Sequence, residues 1–190
     1  MTRILNELEQ SNFIRRYQGY GKKKNEQLFQ LIDLYSLFYL KFIKNNSQED
    51  AQNWINGIDN PKHRAWSGYA FELIGLIHID QIKKSLGISG VQTTTSSWIG
   101  SNETQKAQID LVIDRRDHVI SICEFKFSFD NFTINKQYAE QLKNKISVFK
   151  EDSKTTKAIN LVMITTFGLK ENNYSRAIVN KGLKMDIIFE

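Results

Sequence analysis

Three charged residues lie within a segment that otherwise has the composition of β-strands. Asp110, Glu124 and Lys126 belong to two apolar runs, 109–113 and 119–127, which flank a charged turn. An unpaired carboxylate or ammonium group in a packed strand costs on the order of several kcal/mol, so such a group is expected to be paired or to bind a cation. These three side chains are therefore the first candidates for a functional site.

The spacing of these residues predicts that they share one face of a β-hairpin. Glu124 and Lys126 are two positions apart, so both side chains leave the strand on the same side. Asp110 lies fourteen positions before Glu124. If the turn centres on Asp117, the two carboxylates become cross-strand partners with Cβ atoms about 5 Å apart. A slip of one residue in the register would separate them.

Two carboxylates with an adjacent lysine suit the hydrolysis of phosphodiester bonds. Carboxylates this close repel each other unless a proton or a cation lies between them. Mg²⁺ prefers oxygen ligands, so Asp110, Glu124 and the backbone carbonyl of Phe125 are its candidate ligands, completed by waters. Lys126 would orient or deprotonate the attacking water and stabilise the charged transition state. The alternative is a structural ion pair between Lys126 and one of the carboxylates on a solvated sheet face.

The elements that must position this hairpin follow the order α-β-β-β-α-β. A helix that begins at Pro61 carries Glu72 and is predicted to end near Gly87 or Gly90. A later helix is predicted to be N-capped by Thr133. The segments after the first helix are a strand at 91–99, the hairpin at 109–127, a helix at 133–150, a buried strand at 158–167 and a last strand at 185–189. This order predicts an α/β fold.

Residues 1–32 have the pattern of the last part of a winged-helix module. A helix at 1–10 precedes strands at 13–17 and 27–32, which are joined by a basic loop that would form the wing. A solvated hairpin tip is an equally good interpretation of that loop. A winged helix needs about three helices, so this piece is part of a larger protein or borrows helices from a partner. The candidate nucleic-acid contacts are Arg15, Arg16, Lys22, Lys23 and Lys24.

The remaining residues, 33–190, are predicted to form the domain that carries the hairpin. This domain begins with a helical segment at 33–59, in which an apolar helix at 34–44 is followed by a second helix at 47–58.

The overall composition narrows the classes of function. A formal charge of +5 and a pI of about 9.2 permit a nucleic-acid partner without requiring one. Cys123 is the only cysteine, which excludes a disulfide framework and predicts a cytoplasmic protein. The most apolar stretch, 28–43, is interrupted by Asp33 and Lys41 and predicts no membrane span. No GxxxxGK[ST] loop is present, so no nucleotide is expected in this chain.

The order of a helix with Glu72, then Asp110, then Glu124-x-Lys126 resembles the PD-(D/E)xK superfamily of restriction-endonuclease-like nucleases. That superfamily has an α-β-β-β-α-β core with a mixed central sheet, and here Ile109 replaces the proline of its signature. The resemblance implies Mg²⁺ or Mn²⁺ held by Asp110 and Glu124. It further implies that Lys126 is the catalytic lysine and that Glu72 contacts the metal through water.

In that superfamily, the helix after the hairpin often lends a polar or basic residue to the site. One face of this helix carries Tyr138, Gln141 and Lys145, and of these Gln141 and Lys145 are the candidates, with a solvated face as the alternative.

Three segments are similar, more narrowly, to the C-terminal part of AAA-type ATPases of bacteria and archaea, a region catalogued as domain of unknown function 234. They read IDLVIDRRDHVISICEFKFS, TINKQY and LIDLYSLFYLKFI. In that family an ATPase domain and a winged helix precede a nuclease-like domain. The resemblance therefore implies an ATPase domain upstream or in trans and DNA as a partner, and it leaves a homo-oligomer open.

The preferred hypothesis is a metal-dependent nuclease that hydrolyses DNA and trails a partial winged helix. One alternative is a catalytically inactive module that binds nucleic acid or regulates a partner. Another is an adaptor that docks onto an ATPase.

Overall fold

The apolar runs of the sequence form the strands of a mixed sheet, and the segments with helical spacing form helices around it. The computed structural model describes residues 2–22, 26–44, 57, 60–102 and 105–189. Its elements, in chain order, are α1 (Thr2–Gln10), β1 (Ile14–Gln18), β2 (Gln27–Leu31), α2 (Leu34–Phe38), a π-helical turn (Tyr39–Ile43), α3 (Pro61–Ile77), α4 (Ile79–Ser85), β3 (Thr93–Ser101), β4 (Lys106–Arg115), β5 (Val119–Lys126), α5 (Lys136–Ser153), β6 (Ala158–Thr165), α6 (Asn173–Ile178), β7 (Lys181–Lys184) and a 3₁₀ turn (Met185–Phe189). The helix predicted at 47–58, apart from Gly57, and the loop residues Lys23 and Lys24 lie outside the described residues.

The main sheet has five strands in the order β3-β4-β5-β6-β7. The first three strands pair in antiparallel fashion, whereas β5, β6 and β7 run parallel. Helices cover both faces of this sheet, which explains why the interior strand β6, AINLVMIT, is apolar along most of its length. The fold is therefore mixed α/β with a mixed sheet, as the sequence predicts at this coarse level.

Each face of the sheet has its own hydrophobic core. On one face, Cys123 and Phe125 of β5 pack against Phe71 and other residues of α3 and α4. On the opposite face, the alternate residue Ile122 packs against Phe149 of α5. This alternation is the period of two expected of a strand buried on both sides, and it places Cys123 on the face away from α5.

The β4–β5 hairpin has the register that the even spacing of its carboxylates predicts. Leu111 pairs with Cys123 and Ile113 pairs with Ser121, so the hairpin is centred on Asp117. The turn is tight, because His118 adopts a positive φ of 64°.

A β-bulge lies on the other side of β4. Ser96 of β3 pairs with Val112, whereas Trp98 pairs with Ile109, so Asp110 and Leu111 together oppose a single residue of β3. A bulge re-aims side chains and increases the local twist of a strand. Here it turns β4 so that Ile109 and Val112 join the same hydrophobic core although they are three positions apart.

The ribbon formed by β1 and β2 is fastened to the main sheet through the residues that follow β1. Gly19 forms a parallel bridge with Ser97, and the Tyr20 N–H donates to the Ser97 carbonyl at 2.6 Å. The Tyr20 ring lies 5.2 Å from the ring of Phe149, and its hydroxyl donates to Asp114 Oδ2 at 3.3 Å. The N-terminal ribbon is thus held beside β3, next to the bulge.

Two helices differ from the sequence-based expectation. The helix that begins at Pro61 ends at Ile77 instead of continuing to Gly87, because His78 leaves helical geometry with φ −107° and ψ 37°. Its chain then resumes as the short helix α4. The N-cap of α5 is Asn135 and not Thr133, since the Asn135 side chain accepts the backbone N–H of Tyr138 at 2.8 Å.

The last strand also lies elsewhere than predicted. The chain forms β7 at Lys181–Lys184, and residues Met185–Phe189 form a 3₁₀ turn. The short edge strand contains one buried apolar residue, Leu183, which pairs with Ile164. Residues 185–189 are more apolar than β7, and for that reason their sequence predicts a strand. In the structure, Ile187 packs into the core from the 3₁₀ turn instead.

Among the described residues, the structure contains no helix that is long and apolar enough to cross a membrane.

Candidate active site

Glu124 is a carboxylate buried at the end of a strand. It is only 3% exposed, and it lies one register step beyond the Leu111–Cys123 pair, which places it opposite Asp110. Burial raises the pKa of Glu124, the nearby charge of Asp110 raises it further, and Lys145 and Lys126 counteract the rise. Asp110 therefore lies close enough to Glu124 for its charge to disfavour the ionisation of Glu124, as the hairpin spacing predicts.

Lys145 is the direct partner of Glu124. Its Nζ lies 2.5 Å from Glu124 Oε1, and its side chain is 24% exposed. It comes from α5, the helix that covers this face of the sheet. The other residue predicted on this helix, Gln141, is exposed.

Glu72 reaches the same site from α3. Its pKa is raised to about 7, first by burial and then by the charge of Asp110, with a smaller contribution from Glu124. Arg15 and Lys126 act in the opposite direction. The structure thus brings Glu72, Asp110, Glu124 and Lys126 within electrostatic range of one another, although they belong to three different elements.

Lys126 does not form the structural ion pair that was the alternative interpretation. No ion pair of Lys126 occurs within the described part of the chain, and its Nζ lies 5.1 Å from the centre of the Tyr138 ring. The ion pair that does form with Glu124 uses Lys145. The Lys126 ammonium therefore interacts with the carboxylates at longer range and is available to a ligand.

Two buried hydroxyl groups at this site have no hydrogen-bond partner among the described residues. They belong to Tyr138 of α5 and Thr165 of β6. Burial raises the pKa of the Tyr138 hydroxyl, and Glu124 and Asp110 raise it further, so this hydroxyl lies near the two carboxylates. Thr165 is the register partner of Lys126 on the neighbouring parallel strand. A buried hydroxyl without a partner is costly, which indicates that a ligand or water completes both groups.

Sequence reasoning did not assign Tyr138 or Thr165 to the site. Tyr138 had a usable signal, because it lies seven positions before Lys145 and so on the same face of a helix. Thr165 had a weaker one, a hydroxyl residue at the carboxyl end of an apolar parallel strand, where ligand sites are often found.

The basic residues predicted in the N-terminal ribbon have different environments. Arg15 interacts with Glu72, whereas Arg16 is bound to Glu9 at 2.7 Å and to Asn6 at 2.7 Å. Lys22 is exposed in the loop that follows β1. Of the described basic residues, Arg15 therefore interacts with the carboxylate site, whereas Arg16, which lines the same cleft as Asp110, is already paired with Glu9.

The donor set fits a hard divalent cation better than a soft one. Among the described residues, no three His, Cys, Asp or Glu side chains are already arranged as a metal-binding group. Mg²⁺ commonly uses one or two carboxylates and keeps several waters, so Asp110 and Glu124 would suffice as protein ligands. The unpartnered hydroxyls of Tyr138 and Thr165 offer hydrogen-bonding positions for such waters.

Neither a scan against models of known protein families nor a search of curated proteins finds a match to this chain.

Proposed function

We propose that this protein is a metal-dependent nuclease of the PD-(D/E)xK type that hydrolyses phosphodiester bonds in DNA. The observation that carries the proposal is the convergence of Asp110, Glu124 and Lys126 on the neighbouring strands β4 and β5, with Glu72 facing them from the preceding helix. The raised pKa values of Glu72 and Glu124 are typical of a functional site, because buried carboxyl groups beside another carboxylate destabilise a fold unless a ligand compensates them.

The order of the elements supports the same class. The helices α3 and α4, the strands β3, β4 and β5, the helix α5 and the strand β6 follow the order α-β-β-β-α-β, and the sheet is mixed. In this proposal, β7 is an added edge strand and the N-terminal ribbon is the remnant of a winged helix.

In the proposed reaction, the water oxygen forms a bond to phosphorus while the bond to the leaving oxygen breaks. A Mg²⁺ or Mn²⁺ ion held by Asp110 and Glu124 would lower the pKa of the water and neutralise the phosphate. Lys126 orients the water and stabilises the charge that develops on the phosphate oxygens. Glu72 accepts the proton of the water, because its carboxyl group reaches Asp110 and Glu124 from α3.

The proposal extends to the partners of the chain. DNA is the proposed substrate, and an ATPase domain, fused upstream or acting in trans, is the proposed partner. The net charge of +5 is compatible with an acidic polymer as substrate.

A second candidate is a catalytically inactive module that keeps the fold and binds nucleic acid. The specific observation in its favour is the ion pair between Lys145 and Glu124, at 2.5 Å. A lysine at this distance already neutralises Glu124 and would have to move or share the carboxylate when a cation binds. If Lys145 holds Glu124 permanently, the site cannot bind a cation.

Cleavage assays separate the two candidates. Supercoiled plasmid and single-stranded DNA are incubated with Mn²⁺ and either the wild-type protein, Lys126→Ala or Lys143→Ala, which removes an exposed lysine of α5 that pairs with Glu140. We expect cleavage by the wild type and by Lys143→Ala, and a loss of about 100-fold or more in Lys126→Ala.

Two other outcomes would contradict the nuclease proposal. If no preparation cleaves DNA although each one binds it, the inactive module is correct. If Lys126→Ala cleaves as fast as the wild type, the activity does not come from this site.

A further inference from the structure

A cleft of about 230 Å³ lies between the N-terminal ribbon and the bulged part of the main sheet. Arg15 lines it from β1, and Asp110 lines it from β4. Its wall on the side of β3 is a run of three hydroxyl residues, Thr95, Ser96 and Ser97. The cleft thus connects the carboxylate site to a guanidinium and several potential hydrogen-bond donors.

The guanidinium of Arg15 is held in place by its neighbours in the ribbon. Its Nε donates to Gln30 Oε1 at 2.8 Å, and its Cζ lies 5.0 Å from the centre of the Tyr17 ring. No other hydrogen bond or ion pair of Arg15 occurs among the described residues, so its two terminal nitrogens are available. A guanidinium fixed at Nε with both terminal nitrogens available can bind phosphate oxygens in a bidentate manner.

The positive charge of Arg15 is only partly compensated by neighbouring carboxylates of the described residues. Burial lowers the pKa of its guanidinium, and Glu72 is the only carboxylate that raises it appreciably. A cation placed in a cleft with incomplete compensation attracts an anionic ligand.

We propose that this cleft binds a phosphate group of a nucleic-acid strand adjacent to the carboxylate site, with Arg15 as its main anchor and the hydroxyl groups of Thr95 and Ser97, which lie on the same face of β3, as further donors. This inference rests on the proposed function, since it makes the N-terminal ribbon part of the substrate-binding surface of the nuclease site. The ribbon would then bind substrate for the site of its own chain, and this role does not require a complete winged helix that binds in a DNA groove.

Binding is measured without cleavage, so that the two proposals can fail separately. Fluorescence anisotropy in EDTA, over a series of NaCl concentrations, gives the Kd and its salt dependence for a labelled single-stranded and a labelled duplex DNA. The variants are Arg15→Ala, Arg15→Lys and Arg3→Ala, the last of which removes an arginine of α1 with a 90% exposed side chain. We expect Arg15→Ala to weaken binding about tenfold and to reduce the salt slope by about one phosphate contact.

The other variants distinguish a bidentate contact from simple charge. Arg15→Lys should recover only part of the affinity, because lysine keeps the charge but lacks the planar fork. Arg3→Ala should bind DNA as the wild type does. Equal Kd values for Arg15→Ala and Arg3→Ala would overturn the inference, even if the protein cleaves DNA.

A second route guards against an Arg15→Ala variant that fails to fold. Gln30→Leu removes the acceptor of the Arg15 Nε–H but leaves the charge in place. It should weaken DNA binding by about threefold, because the guanidinium fork loses the contact that fixes its orientation. Unchanged affinity in Gln30→Leu would overturn the role given to the guanidinium fork.

Discussion

The buried carboxyl of Glu124 combines three influences that favour different charge states. Burial and the neighbouring Asp110 favour the protonated form, whereas the contact with Lys145 favours the ionised form. The pKa of Glu124 is therefore higher in the folded protein than in the unfolded chain, so the folded protein binds the proton of this carboxyl group more tightly. This part of its stability is present at low pH and is lost as the pH rises through the raised pKa.

Lys145→Met tests how strongly the ion pair offsets the buried charge. At pH 8 the variant must either leave Glu124 charged without its partner or bind a proton, so we expect a loss of about 2 kcal/mol in the free energy of unfolding. At pH 5 Glu124 takes up a proton more easily, and the loss should be smaller. Urea unfolding at both pH values measures the difference.

The matched control is Lys143→Met, which breaks the exposed pair with Glu140 and should change stability by less than about 0.5 kcal/mol. Mn²⁺ should restore part of the stability of Lys145→Met, because a ligand that binds only the folded state stabilises it. An equal loss at pH 5 and pH 8 would show that Lys145 acts through packing and not through charge.

Glu72→Gln is expected to change the pH dependence of stability. The pKa of Glu72 is about 7 in the folded protein, against a usual value of 4.5, so the folded state binds more protons between these values. Stability should therefore fall as the pH rises from about 4.5 to 7, and the glutamine variant should lack this part of the fall.

At pH 8 we expect the glutamine variant to be more stable than the wild type by about 1 kcal/mol, a figure well below the full shift because solvent screens part of the interaction. Thermal unfolding between pH 4 and pH 9 provides the measurement. Parallel curves for the two proteins would contradict the raised pKa. If the proposed role of Glu72 is correct, this stabilised variant should also lose cleavage activity.

At the scale of elements, the hairpin was predictable and the bulge beside it was not. The register of β4 and β5 follows from residues 109 to 127, because the turn length and the alternation of apolar residues agree on a centre at Asp117. The bulge involves the pairing of β4 with β3, whose polar run Thr93–Ser101 carries little hydrophobic alternation. A strand of this composition does not specify its register by itself.

The approach of α3 to β5 depends on a glycine. A Cβ at Gly75 would lie 2.1 Å from Cε1 of Phe125, and Gly75 lies three residues, about one helical turn, after Glu72. The absence of a side chain therefore lets the helix pack closely and brings Glu72 to the carboxylates. The sequence predicted the position of Glu72 on the helix, but the close packing could be seen only in the folded structure.

Gly75→Ala should destabilise the protein although alanine is the better helix former. We expect a loss of about 2 kcal/mol, since overpacking against a fixed aromatic ring outweighs a gain in helix propensity of about 1 kcal/mol. Gly68→Ala in the same helix has no atom within 4 Å of the added carbon and should gain up to about 1 kcal/mol. Urea unfolding of both variants checks the prediction, and a stabilised Gly75→Ala would refute the close approach.

At the scale of the whole molecule, the position of the N-terminal ribbon is the feature that sequence reasoning could not supply. The sequence shows the pattern of a helix and two strands, and it predicts that the basic residues of the first strand and of the loop contact nucleic acid. The docking of the ribbon depends instead on single residues far apart in sequence, such as Tyr20 with Asp114 and Phe149, and Gly19 with Ser97. These contacts place Arg15 at the carboxylate site and leave Arg16 bound to Glu9.

Tyr20 is the main fastening point of the ribbon. Its hydroxyl donates to Asp114, which also accepts from Lys157, and its ring packs on Phe149 in the core beneath α5. Tyr20→Ala removes both contacts but leaves the pairing of β1 with β2 intact. We expect the ribbon to detach from β3 transiently, because fewer contacts then hold it to the main sheet and local stability depends on the number of such contacts.

Hydrogen exchange measures this detachment directly. In Tyr20→Ala, the backbone amides of residue 20 and of the residues around Gly19 and Ser97 should exchange about tenfold faster than in the wild type. The amides of β5 and β6 should remain protected, since exchange through local opening leaves the core closed. Tyr174→Ala, which removes an exposed tyrosine of α6, is the control and should leave the ribbon unchanged. Uniformly faster exchange across β5 and β6 would show that the ribbon and the main sheet open together. The docking of the ribbon would then contribute to global stability, and the ribbon would not open separately.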